Sequence, residues 1–168
     1  TKGIVGVTGP TFIGRGWRAN RDTFKYTKLG WLQNKVFGVS HRPGHLSKAG
    51  APSMESNRES CIYEGKVDYL ECCNMSVRKK EALEVGGFDK NYIRTGEWSG
   101  LDLSFRLRDR GSLYFNPLAK LEHRPSKEGV YKERISTGHR WENFIKFQRR
   151  WIKPCLRRHL YWVFVWIY

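Results

Sequence analysis

Short apolar runs alternate with polar, glycine-rich stretches along this chain, and one long amphipathic stretch lies near its end. Ile4-Val5-Gly6-Val7, closed by Thr8-Gly9-Pro10, predicts a buried strand and a turn. Residues 11–60 are rich in Gly, Arg, Lys, Ser and Asn, with weak helical spacing from Phe24 to Phe37. Gly44 to Ser60 reads as an irregular loop, and a loop of that length inside a compact domain is usually functional or mobile. Lys66 to Cys72 predicts a strand through Val67, Tyr69 and Leu70. Ser76 as N-cap and Gly86 as the residue after the last turn frame a helix over Val77–Val85, and Gly86-Gly87 allows a tight turn. Ser99 and Asp102 form an acidic capping pattern at the start of a second helix. Leu103 and Leu107 share one face of it, and Gly111 stops it. Leu113-Tyr114-Phe115 and Ala119 to His123 read as short strands around Asn116-Pro117.

From Lys127 the pattern changes. Trp141, Phe144, Ile145, Gln148, Trp151 and Ile152 sit at helical spacing, so an amphipathic helix is expected up to Pro154. Nine apolar residues then run from Leu160 to Tyr168, too few for the roughly 20 that span a bilayer. We therefore divide the chain at residue 126: 1–126 as an α/β domain, 127–168 as a basic, aromatic helical tail. The tail holds ten Lys or Arg against three Glu, a net +7. Its cations and Trp rings are expected to favour an anionic membrane surface, with packing back onto the domain as the alternative.

Composition narrows the class. The 168 residues suit one domain, and 39% hydrophobic with 14% aromatic content argues against disorder. A net charge of +15 implies an anionic partner: nucleic acid, an acidic membrane or a phosphate-bearing substrate. Cys61, Cys72, Cys73 and Cys155 lack metal-ligand spacing, and a disulfide framework is not expected in a chain of this size. No secretory signal is read at Thr1, so a cytoplasmic setting is expected.

The run from Glu71 to His123 is the most specific feature. It contains in order Cys73-Asn74-Met75-Ser76, Gly86-Gly87-Phe88-Asp89, Glu97, Asp102-Leu103-Ser104-Phe105-Arg106-Leu107, Gly111 and His123. This order and spacing resembles the acceptor-side half of family 2 glycosyltransferases with the GT-A fold. The resemblance implies an α/β fold with a GT-A mixed sheet, lacking most of the N-terminal nucleotide-binding half. It implies an enzyme that moves a hexose from a nucleotide-sugar donor to a lipid-linked or polysaccharide acceptor, with inversion, at the cytoplasmic face of a membrane. A divalent Mn or Mg ion is implied as well. The family's Asp-x-Asp is absent from the chain, so the remaining metal ligands and the donor half would lie on another piece of polypeptide.

Transfer needs a carboxylate to take the acceptor proton. The family usually writes Glu-Asp-x-Asp-Leu before the helix, and this chain has Ser99-Gly100 in the Glu-Asp positions. The base is therefore Glu97, on the loop, or Asp102, inside the first helical turn, and we take Glu97 first. Asp102 would otherwise stabilise the helix dipole. Trp98 is a candidate for stacking on a sugar ring or for covering the core. Asn74 and Ser76 would lie near the acceptor, and Arg106 matches the family's helical Arg. His123 matches a strand-end His that ligates metal or contacts diphosphate. The second reading is an inactive GT-A-like domain that binds an anionic glycan or lipid, favoured by the Ser99-Gly100 departure. The third is a basic nucleic-acid-binding module, for which no fold signature is found.

Overall fold

The computed structural model describes residues 3–13, 28–53, 60–124 and 138–167. It is a mixed α/β protein. Strand β1 (Ile4–Thr8) runs parallel to β5 (Ser112–Phe115) and antiparallel to β4 (Met75–Val77), while β3 (Gly65–Val67) pairs antiparallel with β5. The four-stranded order is β3-β5-β1-β4. Two further strands, β2 (Thr11–Ile13) and β6 (Leu121–His123), form a separate parallel pair.

Alternation along β5 directs Leu113 and Phe115 inward, where they meet Val5, Val67, Leu70, and Leu103 and Leu107 of helix α3 (Ser99–Leu107). Helix α1 spans Lys28–Phe37 and the short α2 spans Lys79–Glu84. Residues Phe24 to Thr27, where the helical spacing begins, lie outside the described residues. The tail forms α4 (Gly138–Trp151) and α5 (Leu156–Ile167), with Pro154 between them. Phe144 and Phe147 of α4 are fully buried. Tyr161 of α5 closes on Phe37 of α1 at 5.1 Å between ring centroids. No helix among the described residues is long and apolar enough to cross a membrane.

Several local expectations change. Ser76 does not cap a helix: Met75, Ser76 and Val77 pair with Thr8, Val7 and Gly6, and Arg78 precedes the helix instead. Pairing along β1 outweighs the local capping preference. Cys72–Asn74 forms a 3-10 turn, so Cys72 and Cys73 do not alternate across a strand. The expected strand over Lys66–Cys72 stops at Val67. Beyond it, the Leu70 amide donates to the Ser104 hydroxyl on α3 at 3.0 Å.

The described part of the long loop, residues 44–53, is ordered by its own bonds. Leu46 bridges Pro52, and the Ser47 hydroxyl accepts from the amides of Ala49 and Ala51 at 3.2 and 3.1 Å. Gly50 has φ +79°, and a side chain there would collide with the Gln148 amide, which donates to the Gly50 carbonyl at 3.0 Å. Residues 54–59 lie outside the described residues.

Candidate functional site

The segment between α2 and α3 is built by turns and then fastened to α4. Gly86 and Gly87 both take positive φ, as the tight turn requires. The Asp89 carboxylate accepts from the backbone and side-chain amides of Asn91, both at 2.9 Å. Those bonds, the backbone one foremost, hold its pKa below the ordinary carboxylate value. Asn143 on α4 then grips Ile93 twice: its Oδ1 accepts from the amide at 3.1 Å and its Nδ2 donates to the carbonyl at 3.0 Å. Arg150, also on α4, reaches Asp89 at 3.1 Å.

Arg94, Gly96 and Trp98 all lie in the left-handed region, with φ of 52°, 63° and 72°. For Arg94 and Trp98 this conformation costs energy. Burial of the Trp98 ring offsets part of it, since the ring lies 5.2 Å from both Phe144 and Phe147. Trp98 thus joins α3 to α4 as part of the core. Its backbone also caps α3, and the Asp102 amide donates to the Trp98 carbonyl at 3.0 Å. The expected Ser99 cap is displaced by one residue.

The two candidate bases have different surroundings. Asp102 has no exposed surface. Its Oδ1 accepts from Trp151 Nε1 at 2.7 Å and from the Tyr92 hydroxyl at 3.3 Å, with Arg150 Nη1 at 3.1 Å. Its Oδ2 accepts from Arg106 Nε at 2.9 Å. Burial and the adjacent Asp102 charge push the Tyr92 hydroxyl far above its ordinary pKa, so it stays a donor. Glu97, by contrast, keeps 12% of its side chain exposed. The Thr95 hydroxyl donates to its Oε2, and Arg140 Nε stands 3.7 Å from its Oε1.

Arg106 also donates to the Val85 carbonyl at 2.5 Å, so it ties α3 to the end of α2. Beside it opens a shallow pocket of about 320 Å³, lined by Val85, Gly86, Phe88, Asp89, Lys90 and Arg150. Asn74 donates to the carbonyls of Ala119 and Pro10, at 2.7 and 3.3 Å, and so fixes the turns at the ends of β1 and β5. Ser76 is exposed in β4. His123 ends β6 opposite Ile13. Among the described residues no group of three or more His, Cys, Asp or Glu is arranged to hold a metal ion. His123 alone does not make a metal site.

Gly100 has a steric reason of its own. A Cβ at this position would lie 1.9 Å from Cys72 Sγ. The thiol fills the space that an acidic side chain would need at the start of α3.

Sequence reasoning brought Glu97, Trp98, Asp102 and Arg106 to one locality: Glu97 and Trp98 lie on the loop before α3, Asp102 in its first turn and Arg106 in its last. It missed Tyr92, Asn143, Arg150 and Trp151. Asn143 and Gln148 were the available signal, as polar residues on the face of α4 that also carries Phe144 and Phe147. Compared with family models, with curated proteins and with solved structures, the chain gives no match.

Proposed function

We propose that the chain is the acceptor-side part of a GT-A glycosyltransferase similar to family 2, acting on a hexose carried by a nucleotide. The observation that carries this reading is the contrast between the two carboxylates. Glu97 sits on a braced loop ahead of α3 and keeps 12% of its side chain exposed, with Oε1 buried, whereas Asp102 has no exposed surface and is held by donors on both oxygens. A general base must be able to meet the acceptor hydroxyl, and of the pair Glu97 alone keeps exposed side-chain surface. The mixed sheet, with β4 antiparallel between β1 and the turn into α2, agrees with the motif order behind this reading. The acceptor is a lipid-linked sugar, a polyprenyl phosphate or a growing glycan at the cytoplasmic side of a membrane. The donor's nucleotide is held by residues beyond these.

The test is sugar transfer by the full-length polypeptide from UDP- and GDP-hexoses. Glu97→Gln should lower kcat by roughly 10²–10⁴ with little change in donor affinity. Loss of turnover in Asp102→Asn with an active Glu97→Gln, both variants folded, would assign the base to Asp102.

A second reading is supported by Cys72 against Gly100. The position at which the family it resembles carries an acid is occupied here, which favours a domain that binds an anionic glycan or lipid without transferring sugar. Glycan binding that persists in Glu97→Gln, with no transfer by the wild type, would select it.

A further inference from the structure

Helices α1 and α5 pack side by side through Phe37, which touches Tyr161 and Phe164 at 5.1 and 5.6 Å. On α1, at 100° per residue, Trp31, Leu32, Lys35 and Val36 fall on the side away from Phe37. On α5, Leu156, Leu160, Val163 and Trp166 fall on the side away from Tyr161. All seven of these apolar side chains are exposed, Trp31 by 61%, Trp166 by 73% and Leu156 by 75%. Scattered exposed apolar residues are ordinary, but two adjoining helices that both turn apolar faces outward form a patch.

Charge identifies what covers it. Neither helix carries an Asp or Glu. Lys35 is exposed and holds its Nζ 5.0 Å from the Trp31 ring centre. Arg157 is exposed and lies beside Gly38, close to where the two helices meet. Lys153 is exposed just ahead of α5. An apolar face bordered by cations and free of carboxylates is complementary to an anionic lipid surface, and Trp rings favour headgroup depth.

We propose that the joint outer face of α1 and α5 is a membrane-docking surface for anionic lipid, with α1 an equal contributor. It does not depend on the sugar-transfer reading, because binding to vesicles involves neither donor nor acceptor sugar.

The experiment is flotation of the full chain with vesicles of phosphatidylcholine alone and of phosphatidylcholine mixed with phosphatidylglycerol. The wild type should float with the mixed vesicles and be released by salt. Trp31→Glu and Trp166→Glu should each reduce partitioning at least about tenfold, since each removes a large apolar side chain from the interface. Arg157→Gln should reduce it about fivefold. Circular dichroism should report unchanged folding in all three, because the substituted side chains are exposed. The proposal is overturned if the wild type fails to float, or if Trp31→Glu binds as well as the wild type. It is overturned equally if sedimentation shows that the same residues hold a lipid-free dimer, which would make the face a contact between copies.

Discussion

Asp102 and Glu97 are five residues apart, yet they sit in opposite kinds of surroundings. Asp102 lies where α3 and α4 meet, with donors on both oxygens and no exposed surface. Glu97 lies on a loop whose strained backbone is fixed by neighbours, and 12% of its side chain stays exposed although Oε1 is buried. A carboxylate that organises packing is surrounded by donors that cannot leave. One that accepts a proton from a ligand needs an approach. Under the proposed sugar-transfer reading, Asp102 is therefore the less suitable base of the two.

The comparison can be broken most forcefully at Asp102. Asp102→Asn should destabilise the fold by about 3–5 kcal/mol in urea unfolding, because it leaves Arg106 and Arg150 around an uncharged centre. Glu97→Gln should cost under about 1 kcal/mol in the same measurement. Equal losses would erase the distinction between the two sites.

Gly100→Ala probes the wall between them. It should cost about 1–3 kcal/mol through the clash with Cys72 Sγ. Cys72→Ala in the same chain should recover most of that loss, since the remaining Cys72 Cβ lies 3.4 Å from the new atom. A double-mutant cycle with no coupling would remove the steric account of Gly100.

Trp151→Phe keeps the ring against Phe105 but deletes the bond to Asp102. A loss of about 1–3 kcal/mol is expected from the acceptor left underfilled.

The smallest effect concerns pH. The folded pKa of Asp89 is lowered, so its contribution is present above the unfolded value and is lost as pH falls through the folded value. Asp89→Asn should therefore flatten the acid side of the stability curve below about pH 4. An unchanged slope would show that the Asn91 bonds hold the turn without help from the charge.

The parts of this fold legible in the sequence are those encoded locally. Leu103, Leu107 and Gly111 mark α3, Gly86-Gly87 marks a turn, and the apolar spacing from Trp141 marks α4. Strand β4 was hidden because three residues carry little alternation, and its pairing partner β1 lies about 70 positions earlier. The filling of Asp102 was hidden for a similar reason. Trp151 is 49 residues away and shares no pattern with α3. The left-handed turn at Trp98 has no sequence mark at all, because residues other than Gly, Asn and Asp seldom adopt it.

The contact between Gln148 and Gly50 has a consequence for how the chain is made. The two residues are 98 positions apart, and the Gln148 amide also accepts from Trp162 on α5 at 3.4 Å. During synthesis the turn at Gly50 leaves the ribosome long before the side chain that completes it. At the usual rate of about 5–20 residues per second, the turn waits several seconds or more for α4. Ribosome-bound chains arrested before Gln148 should therefore be cut by protease around residues 44–53, and chains released after α5 should resist.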